Sequence, residues 1–289
     1  MEAKLRPIYQ ERASHPNTLG IVLIEKKDIV SPVTDTFDVI LFVILKQAEE
    51  DVFIKHYSFD EKKAALHLVT EKQVLEWLLL GSNRKIIDWL MNGKIVFDRN
   101  EYIEKLKTEL NEFPFHGRKL KMGIEFARLI RRYRDGKSFF ESHQYLDAYN
   151  HIVHSLHHLA RLAVIDHGFH PEVTVWNQVK KIEPEIYKLY EELVMSEETM
   201  EKRLELLFLA SELLILQKVE QGSAHLFGVL EEKDSWSIQE LLKHEEVKSY
   251  GIDLTGMLEF LIEKHQVHIQ LEETKGVGIY HRYYAKKNF

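Results

Sequence analysis

Residues 20–45 read GIVLIEKKDIVSPVTDTFDVILFVIL and contain two runs of apolar, mostly β-branched residues separated by a polar insert. The runs span residues 20–24 and 38–45, and each is shorter than an ordinary helix. Valine and isoleucine favour strands, because their branched side chains pack well on a pleated surface. The stretch therefore predicts two buried strands joined by a loop, and it makes the N-terminal part of the chain a sheet domain.

Further strand and helix signals follow this pair of strands. Residues 52–57 and 64–69 predict two more strands, separated by a turn at 58–60. Thr70 stands three residues before Gln73, which is a capping-box pattern at the start of a helix. Residues 94–97 predict one further short strand. We therefore expect a mixed α/β domain over residues 1–116.

Helical periodicity replaces the strand signals over residues 117–230. One long helix is expected to begin near Ile124 and to end at Gly136, and a second is expected over residues 139–166. Residues 200–217 are strongly apolar and predict a further helix. This part of the chain is therefore predicted to be a bundle of antiparallel helices.

Residues 231–289 predict a third, smaller domain. Ser237 and Glu240 form a capping box for a helix that extends to about residue 246, and Asp253 begins a helix that extends to about residue 266. The segments 267–271 and 279–285 then predict a hairpin, and helix, helix and hairpin is the order of a winged helix. The predicted fold class is α+β multidomain: a mixed sheet with helices, a helical bundle and a small winged helix-turn-helix.

Composition excludes several classes of function. The chain has 289 residues, a formal net charge of −7 and no cysteine. The absence of cysteine excludes disulfides, thiol nucleophiles and thiolate-bound zinc or iron–sulfur sites. A negative net charge argues against general coating of nucleic acid, which needs a basic surface. The longest apolar run, residues 39–45, is too short to cross a bilayer. We therefore expect a cytoplasmic protein without a membrane partner.

The order of strand, polar loop, Asp38 on a second buried strand, and later strands with short helices resembles the nucleotidyltransferase superfamily. Residues 92–99, NGKIVFDR, are similar to its closing strand. The order of all three predicted domains resembles a bacterial family of nucleotidyltransferase-like proteins, the YgxA-like family. The resemblance implies a Gly-Ser pair, an Asp-x-Asp and a third carboxylate that hold two divalent metals against a nucleotide. Mg²⁺ and a nucleoside triphosphate (NTP) are thus the implied cofactor and ligand.

The carboxylates of that motif are mostly absent from this chain. Asp38 matches the first carboxylate, and Ile40 stands at the second. On the later strand the nearest candidate for the third is His67. Asp35 is a substitute ligand only if the loop bends, because residues three apart on a strand face opposite ways. One carboxylate holds Mg²⁺ poorly, so we assign no metal site and name Asp38 as its ligand if one exists.

Basic residues offer a second kind of site. Lys26 and Lys27 replace the Gly-Ser pair, and they predict either a metal-free phosphate contact or a solvated turn. Arg128, Arg131 and Arg132 share one face of the predicted long helix. Arginine forks suit phosphate oxygens, so this face predicts a phosphate or nucleic-acid site. The alternative is a solvated face paired with nearby carboxylates.

Histidines and the winged helix carry weaker signals. His151, His154 and His158 share a helix face, as metal ligands would, but ordinary hydrogen-bonded histidines are the favoured interpretation. The expected recognition helix, residues 253–266, is acidic and suits packing or a protein partner better than the major groove. Met257 is expected in its core.

Three functions remain open at this point. The first is a degenerate nucleotidyltransferase-like protein that acts by binding a nucleotide or another protein. The second is an active, metal-dependent nucleotidyltransferase with an atypical site at Asp38, Asp35 and Lys27. The third is a regulator that binds nucleic acid through the winged helix and the Arg128 face.

Overall fold

The computed structural model describes residues 2–26, 32–83, 85–112 and 115–287. These residues form two compact units, each described by itself. The first comprises residues 1–114 together with 170–174, and the second comprises 115–169 together with 175–289. The finer division into domains at residues 116 and 230 stays a prediction from the sequence.

The first unit is a five-stranded mixed sheet with helices on both faces. Its strands lie in the order β3-β4-β2-β1-β5, and β2 and β4 are the parallel pair. The elements are α1 (Glu2–Ser14), β1 (Thr18–Glu25), β2 (Val39–Leu45), β3 (Val52–Phe59), β4 (Lys62–Thr70), α2 (Glu71–Leu80), α3 (Lys85–Asn92), β5 (Lys94–Asp98) and α4 (Tyr102–Glu112). All five predicted strands are thus confirmed, whereas α1 and α4 were not expected from the sequence.

Strand alternation divides the core of this unit into two layers. In β2, Ile40 and Phe42 face one side and pack with residues of α2, α3 and α4. Val39 and Leu41 face the other side and pack with residues of α1. Because β2 is covered on both sides, it is apolar throughout its length, as residues 39–45 predicted.

The second unit contains the helical region and the winged helix. Its helical elements are α5 (Phe115–Glu141), α6 (Tyr145–Asp166), α7 (Val175–Ile182), α8 (Pro184–Met195), α9 (Met200–Gln217) and α10 (Val219–Leu230). The winged helix comprises β6 (Trp236–Ser237), α11 (Ile238–Lys243), a 3-10 turn (Lys248–Tyr250), α12 (Asp253–Glu263), β7 (Val267–Glu273) and β8 (Tyr280–Lys286). The fold class predicted from the sequence is confirmed, including the Ser237 capping box.

The prediction that Gly136 ends the first long helix was wrong. Helix α5 continues to Glu141, and a Cβ atom at Gly136 would lie 3.0 Å from the His151 Cβ and 3.2 Å from the Phe208 Cζ. The glycine therefore permits close packing against α6 and α9. The helix is terminated two residues later by His143, whose φ of 60° is left-handed and whose amide donates to the Phe140 carbonyl, as in a Schellman motif.

No helix among the described residues is long and apolar enough to cross a membrane.

Candidate functional site

Asp38 lies directly before β2, and its contacts tie together three strands. The Lys63 amide on β4 donates to Asp38 Oδ2 at 2.8 Å, and the Asp38 amide donates to the Lys63 carbonyl at 2.9 Å. The Lys26 amide, just after β1, donates to the Asp38 carbonyl at 2.9 Å. One carboxylate oxygen of Asp38 thus already serves as a hydrogen-bond acceptor at the strand edge.

The sheet face next to Asp38 is apolar at the position of the second carboxylate and at its neighbour on β4. Ile40 lies two residues along β2 and therefore on the same face of the sheet as Asp38. Ala65 is the partner of Ile40 in the parallel register, and both side chains are fully buried in the core beneath α3. Neither a methyl nor a sec-butyl group can ligate Mg²⁺, which requires oxygen ligands.

The backbone bends at Asp35, as it must if this residue is to ligate a metal beside Asp38. The Asp35 carboxylate, however, contacts a different partner. Its φ is 52°, in the left-handed region, and the Phe37 amide donates to the Thr34 carbonyl at 3.0 Å to close the turn. The Asp35 carboxylate forms an ion pair with Lys85 at the start of α3. Lys27, the second basic residue predicted in this loop, lies outside the described residues.

His67, the candidate for the third ligand, is an aromatic packing residue. Its ring centroid lies 5.0 Å from that of Trp89 on α3. Burial, and then the electrostatic effects of the neighbouring His56 and Lys85, lower the pKa of His67 to about 4. The ring is therefore neutral at pH 7. Over residues 2–26, 32–83, 85–112 and 115–287, no three histidines or carboxylates are grouped to hold a metal ion. The described residues do not fit the two-metal site of the superfamily.

A cavity of about 510 Å³ adjoins this region at the end of β1. The Trp89 indole donates to the Val33 carbonyl at 2.9 Å and holds the loop that forms one wall. The hydroxyl of Thr34 is buried, and within the described part of the chain it has no hydrogen-bond partner. The lining includes cationic, anionic and neutral polar residues, namely Glu2, Glu25, Lys26, Thr34, Asp88, Asn92 and Lys94. The volume is in the range of ordinary ligand pockets.

The second unit contains a buried ionic cluster, which we name the Glu125 cluster, formed by Lys121, Glu125, Arg128, His158 and Arg161. Glu125 is 1% exposed. Its Oε1 accepts from Arg161 at 3.0 Å and lies 3.3 Å from Arg128 Nη1, and its Oε2 lies 2.8 Å from His158 Nδ1. Lys121 is buried one turn earlier on α5. One carboxylate thus lies among several cationic groups.

Electrostatics keep Glu125 ionised despite its burial. Burial alone would raise the pKa of Glu125, but the Arg161 guanidinium and the His158 ring outweigh it and hold that pKa far below its usual value. Burial, and then the charge of Arg161, lower the pKa of Lys121 to about 8. The three-residue spacing of Glu125 and Arg128 on α5 indicated their pairing from the sequence. No pattern in the sequence indicated that Arg161 on α6 would be buried against Glu125.

The arginine face predicted on α5 is only partly available to an anion. Arg128 pairs with Glu125, whereas Arg131 Nη1 lies 2.9 Å from the Asp253 carboxylate at the start of α12. Arg132 lies half-buried on the same helix. Their role in phosphate binding stays a prediction.

The acidic helix α12 packs against α5, as its composition predicted. Arg134 contacts Glu263 at 2.8 Å, and the Phe126 and Phe260 rings lie 6.0 Å apart. Met257 is buried, so its predicted core position is confirmed.

Comparison with known proteins supports the same organisation. Three family models match consecutive segments: a nucleotidyltransferase-like model at residues 1–118, a YgxA-like substrate binding domain at 119–218 and a helix-turn-helix domain at 224–286. YgxA of Bacillus subtilis (strain 168) is 58% identical over 287 residues, which cover 99% of this chain and 98% of that protein.

A solved structure matches along the whole length. The crystal structure of a nucleotidyltransferase-like protein from Exiguobacterium sibiricum 255-15 has a TM-score of 0.83 and 41% identity to this chain, with 99% of each chain covered. The sequence match and the fold agree in all three segments. The chain belongs to the YgxA-like family of nucleotidyltransferase-like proteins.

Proposed function

We propose that this protein is a catalytically degenerate nucleotidyltransferase-like protein that acts by binding a nucleotide, and not by metal-dependent nucleotidyl transfer. The observation that carries the proposal is the buried side chain of Ile40 at the position of the second carboxylate, together with His67, an aromatic packing residue, as the nearest candidate for the third. A two-metal mechanism needs carboxylates that clamp both metals against the phosphates. Among the described residues around Asp38, that set of ligands is not present.

The cavity at the end of β1 is the proposed nucleotide site. Lys26 lies in its lining as a point charge that attracts phosphate oxygens, whereas Lys94, also in the lining, pairs with Glu2 at 2.5 Å. Thr34 and Asn92 supply neutral polar groups for the rest of the ligand. Glu25 and Asp88 also line it, so we expect modest affinity for a triphosphate in the absence of a cation.

Thermal unfolding with each NTP, in EDTA and in Mg²⁺, tests this proposal. A ligand that binds only the folded state stabilises it by about 2.7 kcal/mol at a hundredfold excess over its Kd. We expect one nucleotide to raise the Tm in EDTA, in the wild type and in Asp38→Asn. Lys26→Glu should remove the shift. Lys62→Glu, which changes an exposed lysine outside the cavity lining, is the matched control.

Two results would overturn the proposal. A Tm that no nucleotide changes would leave the protein without a nucleotide ligand and would direct attention to a protein partner. A shift that requires Mg²⁺ and disappears in Asp38→Asn would indicate a working metal site, and it would support the active enzyme.

Nucleic-acid binding is a second candidate function, which the helix-turn-helix match at residues 224–286 favours. The packing of α12 against α5 speaks against insertion of that helix into a major groove. Such binding would therefore use phosphate contacts, including Arg132, and would weaken steeply with salt. Binding to DNA or RNA that falls with salt and with Arg132→Glu would support this candidate, and no binding to DNA or RNA at low salt would exclude it.

A further inference from the structure

Helix α1 covers only part of the sheet face on which it lies. Leu5 and Tyr9 of α1 are buried against that face. Toward the carboxyl ends of β2 and β4 the same face continues with Leu45 and Leu68, which are partly buried, and with Phe53 on the neighbouring strand β3, which is 38% exposed. These three apolar side chains line a cavity of about 490 Å³, which is in the size range of ordinary ligand pockets.

The loop between β2 and β3, residues 46–51, forms one wall of this cavity and is fixed at both of its ends. At its start, the Gln47 amide donates to the side-chain oxygen of Asn17 at 3.3 Å. At its end, the Asp51 carboxylate accepts from the Thr70 hydroxyl at 2.8 Å, and the Asp51 carbonyl accepts from the Thr70 amide at 3.0 Å. All three residues between these anchors line the cavity. The wall is therefore held in place by the fold itself, which lowers the cost of ordering it around a ligand.

The cavity is bordered by two cations and two carboxylates. Arg12 comes from the last turn of α1 and Lys55 from β3, whereas Glu49 and Glu50 come from the loop wall. Among the residues that the structure describes, none of these four side chains forms an ion pair. The Lys55 ammonium lies 5.4 Å from the centroid of the Phe53 ring instead. Charges of both signs are thus available to a ligand that rests on the apolar surface.

Arg12 offers a donor that the described part of the chain does not use. Its Nε atom is buried and lacks a hydrogen-bond partner among the described residues. A buried N–H without an acceptor is unfavourable, because it has lost its hydrogen bond to water and has formed no other. A carboxylate accepts from Nε and a terminal nitrogen of a guanidinium together, in the strong bidentate arrangement. Arg12 therefore suits a ligand that carries a carboxylate.

The other lining residues select the rest of the ligand. Glu49 and Glu50 repel a polyphosphate or any other multiply charged anion, and they attract a cationic group on the same molecule as the carboxylate. Leu45, Leu68 and Phe53 offer a surface on which an aliphatic or aromatic group leaves water. A small zwitterion with an apolar side chain matches all three features. A free α-amino acid is the simplest molecule of this kind.

We propose that this cavity binds a free α-amino acid with a large apolar side chain. Arg12 binds its carboxylate, Glu49 and Glu50 bind its ammonium group, and its side chain packs on Phe53. The site is separate from the proposed nucleotide cavity, which lies at the end of β1 and thus beside the start of the antiparallel strand β2. The amino-acid cavity lies at the other end of β2, a strand of seven residues and therefore about 20 Å long. Each proposal can be tested without the other.

Isothermal titration calorimetry of the full chain with leucine, methionine, phenylalanine and tryptophan tests the proposal. We expect at least one of them to bind with a Kd in the micromolar to millimolar range. Its N-acetyl derivative lacks the ammonium group and its amide derivative lacks the carboxylate. Each should bind at least about tenfold more weakly, because charged groups of the protein are then left without their partner. Glycine has no apolar side chain and should show no measurable binding.

Variants of the chain assign the binding to this cavity. Arg12→Gln should weaken the free amino acid by about tenfold and leave the amide derivative unaffected. Glu49→Gln combined with Glu50→Gln should remove the preference for the free amino acid over its N-acetyl derivative. Arg6→Gln is the matched control, since Arg6 is an exposed arginine on the same helix and lies outside the lining. It should leave binding unchanged, and circular dichroism checks that every variant is folded.

Three results would overturn the proposal. The first is that none of the four amino acids binds at millimolar concentration. The second is an N-acetyl derivative that binds as tightly as the free amino acid, since the ligand would then be the terminal residue of a peptide. The third is binding that neither Arg12→Gln nor the double glutamine variant changes, because the amino acid would then bind elsewhere on the chain.

Discussion

Asp38 and Glu125 are each the central carboxylate of a candidate site. Their surroundings differ: one carboxylate lies beside apolar side chains and the other among cationic ones. Asp38 lies at the edge of an apolar core, where Ile40 and Ala65 occupy the neighbouring positions on the sheet face. Glu125 lies in the interior of a helical unit, where Arg161, Arg128 and His158 converge on it. The sheet face beside the first carboxylate is apolar, whereas the second carboxylate is held by an ionic network in a helical interior.

The difference shows where charge is structurally required in this fold. Removing a partner of a buried ion leaves the remaining charges without compensation, whereas a strand-edge carboxylate exchanges its interactions with solvent. The Glu125 cluster should therefore tolerate substitution poorly. The Asp38 region should tolerate the loss of its carboxylate and resist the introduction of a new one.

The largest expected effect is that of Glu125→Gln. It removes the anion and leaves Arg161 and Lys121 buried, so we expect a loss of about 3–5 kcal/mol in the free energy of unfolding. Urea denaturation measures it. Glu212→Gln is the control, because that carboxylate also contacts lysines but is partly exposed, and it should cost about 1 kcal/mol or less. A similar small loss at both positions would show that the cluster is not structurally required.

Ile40→Asp creates the Asp-x-Asp spacing at residues 38 and 40. It tests whether the Asp38 region accepts a second carboxylate. It places a carboxylate in the core beneath α3, and we expect a loss of about 2–5 kcal/mol, against about 1 kcal/mol for Ile40→Val. Mg²⁺ should not recover that stability, because neither Ala65 nor His67 on the adjacent strand supplies a carboxylate. Unfolding with and without Mg²⁺ measures both. A variant that regains wild-type stability on addition of Mg²⁺ would mean that the metal site is latent and not lost.

The third prediction concerns pH and His67. The pKa of His67 is about 4 in the folded protein, whereas its ordinary value is 6.5. As the pH falls, the unfolded chain therefore binds a proton at His67 before the folded protein does. The wild type should therefore lose about 1–2 kcal/mol between pH 6.5 and pH 4 from this residue, with allowance for its partial exposure. His67→Gln should show a shallower decline over that window. Parallel stability curves for the two proteins would contradict the assignment.

The smallest expected effect is at the contact between α5 and α12. Arg131 and Asp253 form a partly exposed ion pair, so a double-mutant cycle with Arg131→Gln and Asp253→Asn should give a coupling of about 0.5–1 kcal/mol that falls with salt. The more exposed pair of Arg134 and Glu263 should couple less. A coupling of several kcal/mol at Arg131 would place this pair in the same class as the Glu125 cluster.

Much of the fold followed from local sequence patterns. The strands of the first unit and the winged helix were predictable because their apolar runs, caps and turns are short-range signals. Gly136 was misassigned because a glycine marks either a helix end or a close helix contact, and only the positions of His151 and Phe208 distinguish the two. Helix α1 carries Pro7 and few apolar residues, so its sequence gave little indication of a helix.

The candidate site was predictable only in part. The loss of the second carboxylate at Ile40 was evident from the sequence, because the motif has fixed spacing. The pairing of Asp35 with Lys85 and the burial of Arg161 against Glu125 depend on contacts between distant segments. No local pattern reports such contacts, because they are set by how strands and helices pack.

The most direct test of the central claim is a turnover assay with the wild-type protein. Pyrophosphate release from ATP, GTP, CTP and UTP is measured with Mg²⁺ and with Mn²⁺, in the presence of protein, nucleic-acid and small-molecule hydroxyl acceptors. The proposed catalytic degeneracy predicts no release above that of Asp38→Asn with any of these combinations. Metal-dependent release that Asp38→Asn abolishes would contradict the account and would establish this chain as an active nucleotidyltransferase.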